Sequence, residues 1–231
     1  MGSYPPRTFR RHRSRLGRFG IWFACLAFLV VSCGSTGRTA HADDTTSVPD
    51  TPGSSTQAAG PDGPDVVLLD LEDASEVAAW TTVNDPVMGG LSTSRITFGG
   101  GGLIFSGNIS LENNGGFASA RSPQNPDLGR KAAGAKALRV RALGDGKTYL
   151  LKVGTAGQPW SYIQRFPTEA AVQQSYELPI EGFRPVGMRL NPAPEAPQTL
   201  DPSIINQVSV YIVDKQQGPF ELTLIAIDAA V

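Results

Sequence analysis

The chain has 231 residues, 40% hydrophobic and 18% charged, enough for one sizeable hydrophobic core with extensions. Its formal charge of −1 conceals an asymmetry: residues 1–20 carry six arginines and no acid, leaving the remainder at −7. That acidic body argues against a nucleic-acid partner, which requires a basic face. Both histidines (His12, His41) and both cysteines (Cys25, Cys33) precede residue 66. The rest of the chain therefore has no thiol nucleophile, Ser-His pair, His/Cys zinc site or internal disulfide.

Ile21–Val31 is an unbroken apolar run of eleven residues behind the arginines, short for a bilayer span and suited to a signal-peptide core. It ends in Val30-Val31-Ser32-Cys33, similar to a bacterial lipobox, which makes Cys33 the expected lipidation site and residues 1–32 the expected signal peptide. A plain signal peptide and an uncleaved anchor are the alternatives. Lipidation and an uncleaved anchor share one topology, with the arginines cytoplasmic and the body on the extracytoplasmic face of the cell membrane. From Gly34 to Asp65 the composition is Thr, Gly, Asp, Ser, Pro and Ala, with Val48 the one larger aliphatic residue. Residues 33–65 are thus expected to form a disordered tether, spanning about 30 Å if fully flexible.

Residues 66–231 carry the pattern of a folded domain. Val66–Asp70 predicts a buried strand, and Asp73 caps a single helical turn running towards Trp80. Ser92–Phe98 and Gly102–Leu111 have strand character. In the second, Leu103, Phe105, Ile109 and Leu111 alternate with Ser106, Asn108 and Ser110. Period-two alternation returns in Leu138–Arg141, Tyr149–Val153 and Val208–Ile212. Tyr162–Phe166, Ser175–Ile180 and Phe220–Ala229 add further strands. About nine or ten short strands punctuated by Gly, Pro, Asn and Asp indicate an all-β sandwich or jelly roll. Pro185–Pro202 contains five prolines and predicts an irregular loop.

Two polar, glycine-rich stretches stand out: Val83-Asn84-Asp85-Pro86-Val87-Met88-Gly89-Gly90 and Ser110-Leu111-Glu112-Asn113-Asn114-Gly115-Gly116-Phe117. Asn84-Asp85-Pro86 is turn chemistry, and Asn114-Gly115 predicts a tight hairpin turn. With Trp80, Arg121, Asp201-Pro202-Ser203-Ile204 and Ile212-Val213-Asp214-Lys215-Gln216-Gln217-Gly218-Pro219-Phe220, they resemble the complex I intermediate-associated protein 30 family over about residues 66–229. The resemblance implies a galactose-binding-like β-sandwich, and, from a mitochondrial member, a role in assembling respiratory complex I. In bacteria the hydrophilic arm of that complex faces the cytoplasm. The expected topology therefore points instead to a membrane-embedded or extracytoplasmic complex.

For chemistry, Asp85 and Glu112 are the only paired carboxylates within the two stretches. They either form an acid/base pair or serve as turn and backbone acceptors. Asp70, Glu72 and Asp73 offer oxygens but no EF-hand spacing, so no metal and no cofactor is expected. Binding is the remaining option: Trp80, Asn84, Asp85, Met88, Glu112, Asn113, Asn114 and Arg121 supply aromatic, amide and charged groups, and Trp160, Tyr162 and Gln164 a second wall. Trp80 suits core packing equally well. Asn113 and Asn114 suit the turn alone, and Arg121 can pair with Glu112 or Asp85 across neighbouring strands. The expected function is a non-catalytic, membrane-tethered binding or assembly module. Its partner is a protein complex, with a cell-envelope glycan as the alternative.

Overall fold

The computed structural model describes residues 65–231; the expected signal peptide, Cys33 and almost all of the expected tether fall outside the described residues. β1 (Val66–Asp70) leads into α1 (Ala74–Ala78), whose N-cap Asp73 accepts the Ser75 N–H at 2.8 Å. β2 (Thr81–Asn84), a 3-10 turn at Asp85–Met88, β3 (Thr93–Gly99), β4 (Gly102–Ile109) and β5 (Ala118–Arg121) follow. Beyond α2 (Asp127–Ala132) come β6 (Ala137–Leu143), β7 (Thr148–Thr155), β8 (Ser161–Pro167) and β9 (Gln173–Pro179). β10 (Arg184–Val186), β11 (Ile205–Ile212) and β12 (Gly218–Ala230) complete the order.

The strands form two antiparallel sheets. Sheet A runs β3-β4-β12-β6-β9, with β1 also on β12; sheet B runs β10-β8-β7-β11-β5-β2. β12 spans thirteen residues because it is paired along both edges, with β6 on one side and β4 then β1 on the other. Inward-facing residues of the two sheets meet in one core. Leu103, Phe105, Leu138 and Val140 come from sheet A, and Tyr149, Leu151, Val208 and Val210 from sheet B, all fully buried. Phe105 and Phe220 meet edge to face at 4.9 Å. Truncating a buried aromatic of this kind costs about 3–5 kcal/mol.

The all-β sandwich matches the sequence expectation, with three short strands added. β2, β5 and β10 hold only three or four residues each and give alternation too little length to register. β10 also corrects the expected loop, since Pro185 lies inside it. A proline is tolerated there because β10 is an edge strand, where one missing N–H costs no ladder bond. The predicted hairpin at Asn114-Gly115 is a second correction. β4 lies in sheet A and β5 in sheet B, so residues 110–117 cross between sheets. The turn chemistry holds locally, because Asn113 and Asn114 both have positive φ, at 54° and 59°.

Candidate functional site

The two signatures meet at the Asp85 carboxylate, which is fully buried. Oδ1 accepts the Ser92 N–H at 2.8 Å; Oδ2 accepts the Ser92 hydroxyl at 2.5 Å, the Gly116 N–H at 2.6 Å and the Phe117 N–H at 3.2 Å. Ser92 Oγ in turn accepts the Ser110 N–H at 3.1 Å, so the β2–β3 and β4–β5 crossovers are tied through one side chain. Burial pushes the carboxyl up, but the Ser92 hydroxyl and the three N–H donors outweigh it and hold Asp85 below the usual carboxylate range. The neighbouring glycines follow from this packing. A Cβ on Gly90 would lie 2.4 Å from Asp85 Cγ, and one on Gly115 2.7 Å from Oδ2. Asp85 is thus a saturated structural acceptor with no lone pair directed to a substrate.

The other residues singled out in the sequence fall into three places. Asn84 joins the same junction: with its amide oriented to satisfy both atoms, oxygen accepts the Ser94 N–H at 3.1 Å and nitrogen donates to Ser94 Oγ at 2.6 Å. Glu112, Asn113 and Asn114 sit exposed on the adjacent 3-10 turn. Trp80 and Tyr162 are core residues, 5% and 1% exposed, which decides Trp80 for the core-packing alternative and corrects the expected ligand contact of Tyr162. Tyr162 instead donates its hydroxyl to the Pro197 carbonyl at 2.9 Å and anchors the proline-rich segment. Gln164 lies against Gly182, where a Cβ would meet its Nε2 at 2.7 Å. Trp160 lines a separate polar pocket of about 240 Å³ with Gln124, Gln158, Asn206 and Gln207. The expected second wall therefore does not face the first set. Asp70 is likewise local, accepting the Glu72 N–H at 3.1 Å, and among the described residues no cluster suits a metal ion.

Met88 and Arg121 lie together in a groove of about 410 Å³ along the outer face of sheet B. Its walls are Val83, Met88, Phe117, Met188, Leu190 and Val213, with Tyr211 at the floor and Arg121 and Arg189 beside it. Behind the groove Leu150, Ile163, Val186 and Tyr211 form a second apolar cluster, separate from the core between the sheets. The outer face of sheet B is therefore apolar in part, at Leu150, Ile163, Val186 and Tyr211. Met88 and Met188 are 58% and 91% exposed. Arg121 does not pair with Glu112 or Asp85; its Nε donates to Ser119 Oγ at 3.2 Å and its guanidinium lies 5.5 Å from the Tyr211 ring centre. Lys152 Nζ lies 5.8 Å from the same ring. Burial, then repulsion from Arg121, lowers the Lys152 ammonium from its ordinary range, while burial raises the Tyr211 hydroxyl.

Sequence inspection missed Phe117, Met188, Arg189, Leu190 and Tyr211 as groove residues, and Lys152 beside the Tyr211 ring. One signal was present: Leu150 and Tyr211 occupy the outward positions of their strands, where a solvated face calls for polar residues. The proline-rich segment that supplies Met188, Arg189 and Leu190 carries no periodicity to read.

Two antiparallel sheets closed over one core define a galactose-binding-like jelly roll. The model of complex I intermediate-associated protein 30 (CIA30) matches residues 69–224, and the chain belongs to that family. No curated protein matches the chain. Among solved structures, the family 11 carbohydrate-binding module of a cellulosomal cellulase of Clostridium thermocellum is similar at 14% identity, over 73% of this chain and 95% of that one, with TM-score 0.49. The same module of that organism in complex with a β-1,3-1,4-mixed-linked tetrasaccharide aligns at 13% identity over 69% and 94%, TM-score 0.47. An agarase aligns at 15% identity over 72% of this chain and 25% of its own, TM-score 0.46.

Proposed function

We propose that this domain is a non-catalytic binding module that holds a segment of a partner protein in the groove on sheet B, on the extracytoplasmic side of a membrane to which Cys33 tethers it. The carrying observation is the composition of the groove: exposed Met88 and Met188, with Phe117, Leu190, Tyr211 and Arg121 around them. Methionine, aromatic residues and arginine are the side chains enriched where proteins meet, and methionine adapts its shape to irregular apolar surfaces. The family's association with assembly of a membrane complex supports the same reading. A catalytic role finds no support in Asp85, whose oxygens are occupied by four donors.

A glycan site calls for an open aromatic face against which a sugar ring stacks. Tyr211 in the groove is 5% exposed with two cations against its ring, Trp80 and Tyr162 are inside the core, and the half-buried Trp160 borders a separate pocket. This favours a protein partner over an envelope glycan. The test is photo-crosslinking from Met188 of the full chain in intact host cells, with Lys131 on α2 as the control position, beside a glycan-binding screen of the same protein. A protein adduct specific to Met188, with no saturable glycan signal, is the expected result. A saturable glycan signal that is blocked by modifying Met188, with no protein adduct, overturns it.

A further inference from the structure

The cations beside the groove specify what the partner segment carries, an inference that rests on the binding role proposed above. Residues 65–231 hold seventeen carboxylates against thirteen lysines and arginines, so most surfaces of the domain are acidic or balanced. The surface around the groove departs from this. No carboxylate lines the groove. Arg139 and Arg141 on sheet A, and Arg165 on β8 of sheet B, each have an acidic partner, Arg165 through Asp214 on the same outer face, whereas among the described residues Arg121, Lys152 and Arg189 have none within ion-pair distance.

The register brings two of these cations into one row. Ser209 on β11 pairs with Arg121 on β5 to one side and with Lys152 on β7 to the other. The two cationic side chains thus start two strands apart, about 10 Å, with only a short serine side chain between them. Both lean towards Tyr211, two residues further along β11 on the same face. Two like charges against one ring, partly desolvated and with no counter-charge, form a site that an incoming anion completes. The apolar walls begin beside Tyr211, since Phe117 lies 6.4 Å from it between ring centres.

We infer that the outer face of sheet B binds an acidic, apolar protein segment, one carboxylate seated between Arg121 and Lys152 and neighbouring apolar side chains in the groove. Affinity then has a contact part from the methionine-lined walls and an electrostatic part that weakens with salt.

The test is selection of peptides from a random display library on the full-length protein. Peptides pairing Asp or Glu with Leu, Met or Phe are expected. A synthetic peptide of the selected sequence should bind about tenfold or more weakly to Arg121→Gln and to Lys152→Gln. Changing its acidic residue to the amide should produce a similar loss that does not add to that of Arg121→Gln. Arg121→Lys should retain part of the affinity, and all variants should unfold at the wild-type temperature. Arg189→Gln, at an exposed position, gives an independent variant that should show a smaller loss.

Selected peptides without acidic bias, or affinities unchanged in Arg121→Gln, Lys152→Gln and Arg189→Gln, overturn the carboxylate assignment while the groove stands. Peptide binding indifferent to Met88→Ser and Met188→Ser overturns the groove itself. Binding of an oligouronate that is lost in Arg121→Gln, with no peptide selected, makes the partner a glycan and overturns the inference.

Discussion

Asp85 Oδ2 accepts the Gly116 N–H at 2.6 Å across thirty-one residues of sequence, and this bond joins the two glycine-rich signatures at one buried carboxylate. β2 and β5 pair directly in sheet B, while β3 and β4 pair in sheet A. The connections between the sheets must pass each other at one end of the sandwich. A buried carboxylate with donors from both connections fixes that passage.

Replacing Asp85 by Asn tests the junction without changing its volume. An amide presents an NH₂ group either to the Ser92 N–H or to the three donors on Oδ2, so donor faces donor in both orientations. The expected loss is about 3 kcal/mol, a fall in melting temperature of roughly 10 °C for a domain of this size. Ser92→Ala removes one donor and the acceptor of the Ser110 N–H and should cost about 2 kcal/mol. Calorimetric unfolding of each variant measures both. An Asp85→Asn protein as stable as wild type would show that the junction contributes nothing.

The same carboxylate sets an acid limit on stability. Its folded pKa lies below the unfolded value, because the Ser92 and backbone donors outweigh the opposing effect of burial. Between the two values the unfolded chain binds more protons, so stability there rises with pH. The contribution is complete above the unfolded pKa of about 4 and is lost as pH falls through the folded value. Asp73, Asp201 and Asp214 are shifted in the same direction. The Asp85 part is therefore read as the difference between wild type and Asp85→Asn in urea unfolding from neutral pH to pH 3. The gap should narrow on acidification; a constant gap contradicts the assignment.

Gly90 is required for space. Its Cβ would fall 2.4 Å from Asp85 Cγ and 2.8 Å from Cβ, a clash with a side chain already held by four donors. Gly90→Ala should cost about 2–3 kcal/mol. Gly89 provides the contrast: at φ +90° it is strained by any Cβ but meets no atom within 4 Å, so Gly89→Ala should cost about 1 kcal/mol, from backbone strain alone. Parallel denaturant titrations separate the two causes, and equal losses would remove the distinction.

How much of this was legible in the sequence depended on whether the cause was local. Strand alternation around Phe105, Val140 and Val210 is local, and the β-sandwich followed from it. The cap at Asp73 is a contact over two residues and was equally readable. Asp85 reads as a turn residue because its composition is that of a turn, whereas its partners at Gly116 and Phe117 lie more than thirty residues away. Trp80 satisfied core and ligand roles equally until burial decided between them. The groove was hidden for a further reason. Arg121, Lys152 and Tyr211 converge only through the order β5-β11-β7, and no periodicity within one strand encodes which strands become neighbours.

Asn113 separates structure from binding in the exposed part of the second signature. It adopts φ 54° on the 3-10 turn at Glu112–Asn114, a left-handed conformation that asparagine tolerates and alanine resists. Asn113→Ala should therefore destabilise by about 1 kcal/mol, and Asn113→Gly, which removes the Cβ, should be close to neutral. Neither should alter capture of an acidic, apolar peptide, because Asn113 is not among the groove residues. Thermal unfolding and peptide affinity measured on the same two proteins test this. Loss of binding in Asn113→Gly at unchanged stability would extend the site to the signature turn and shift attention from sheet B to the junction above Asp85.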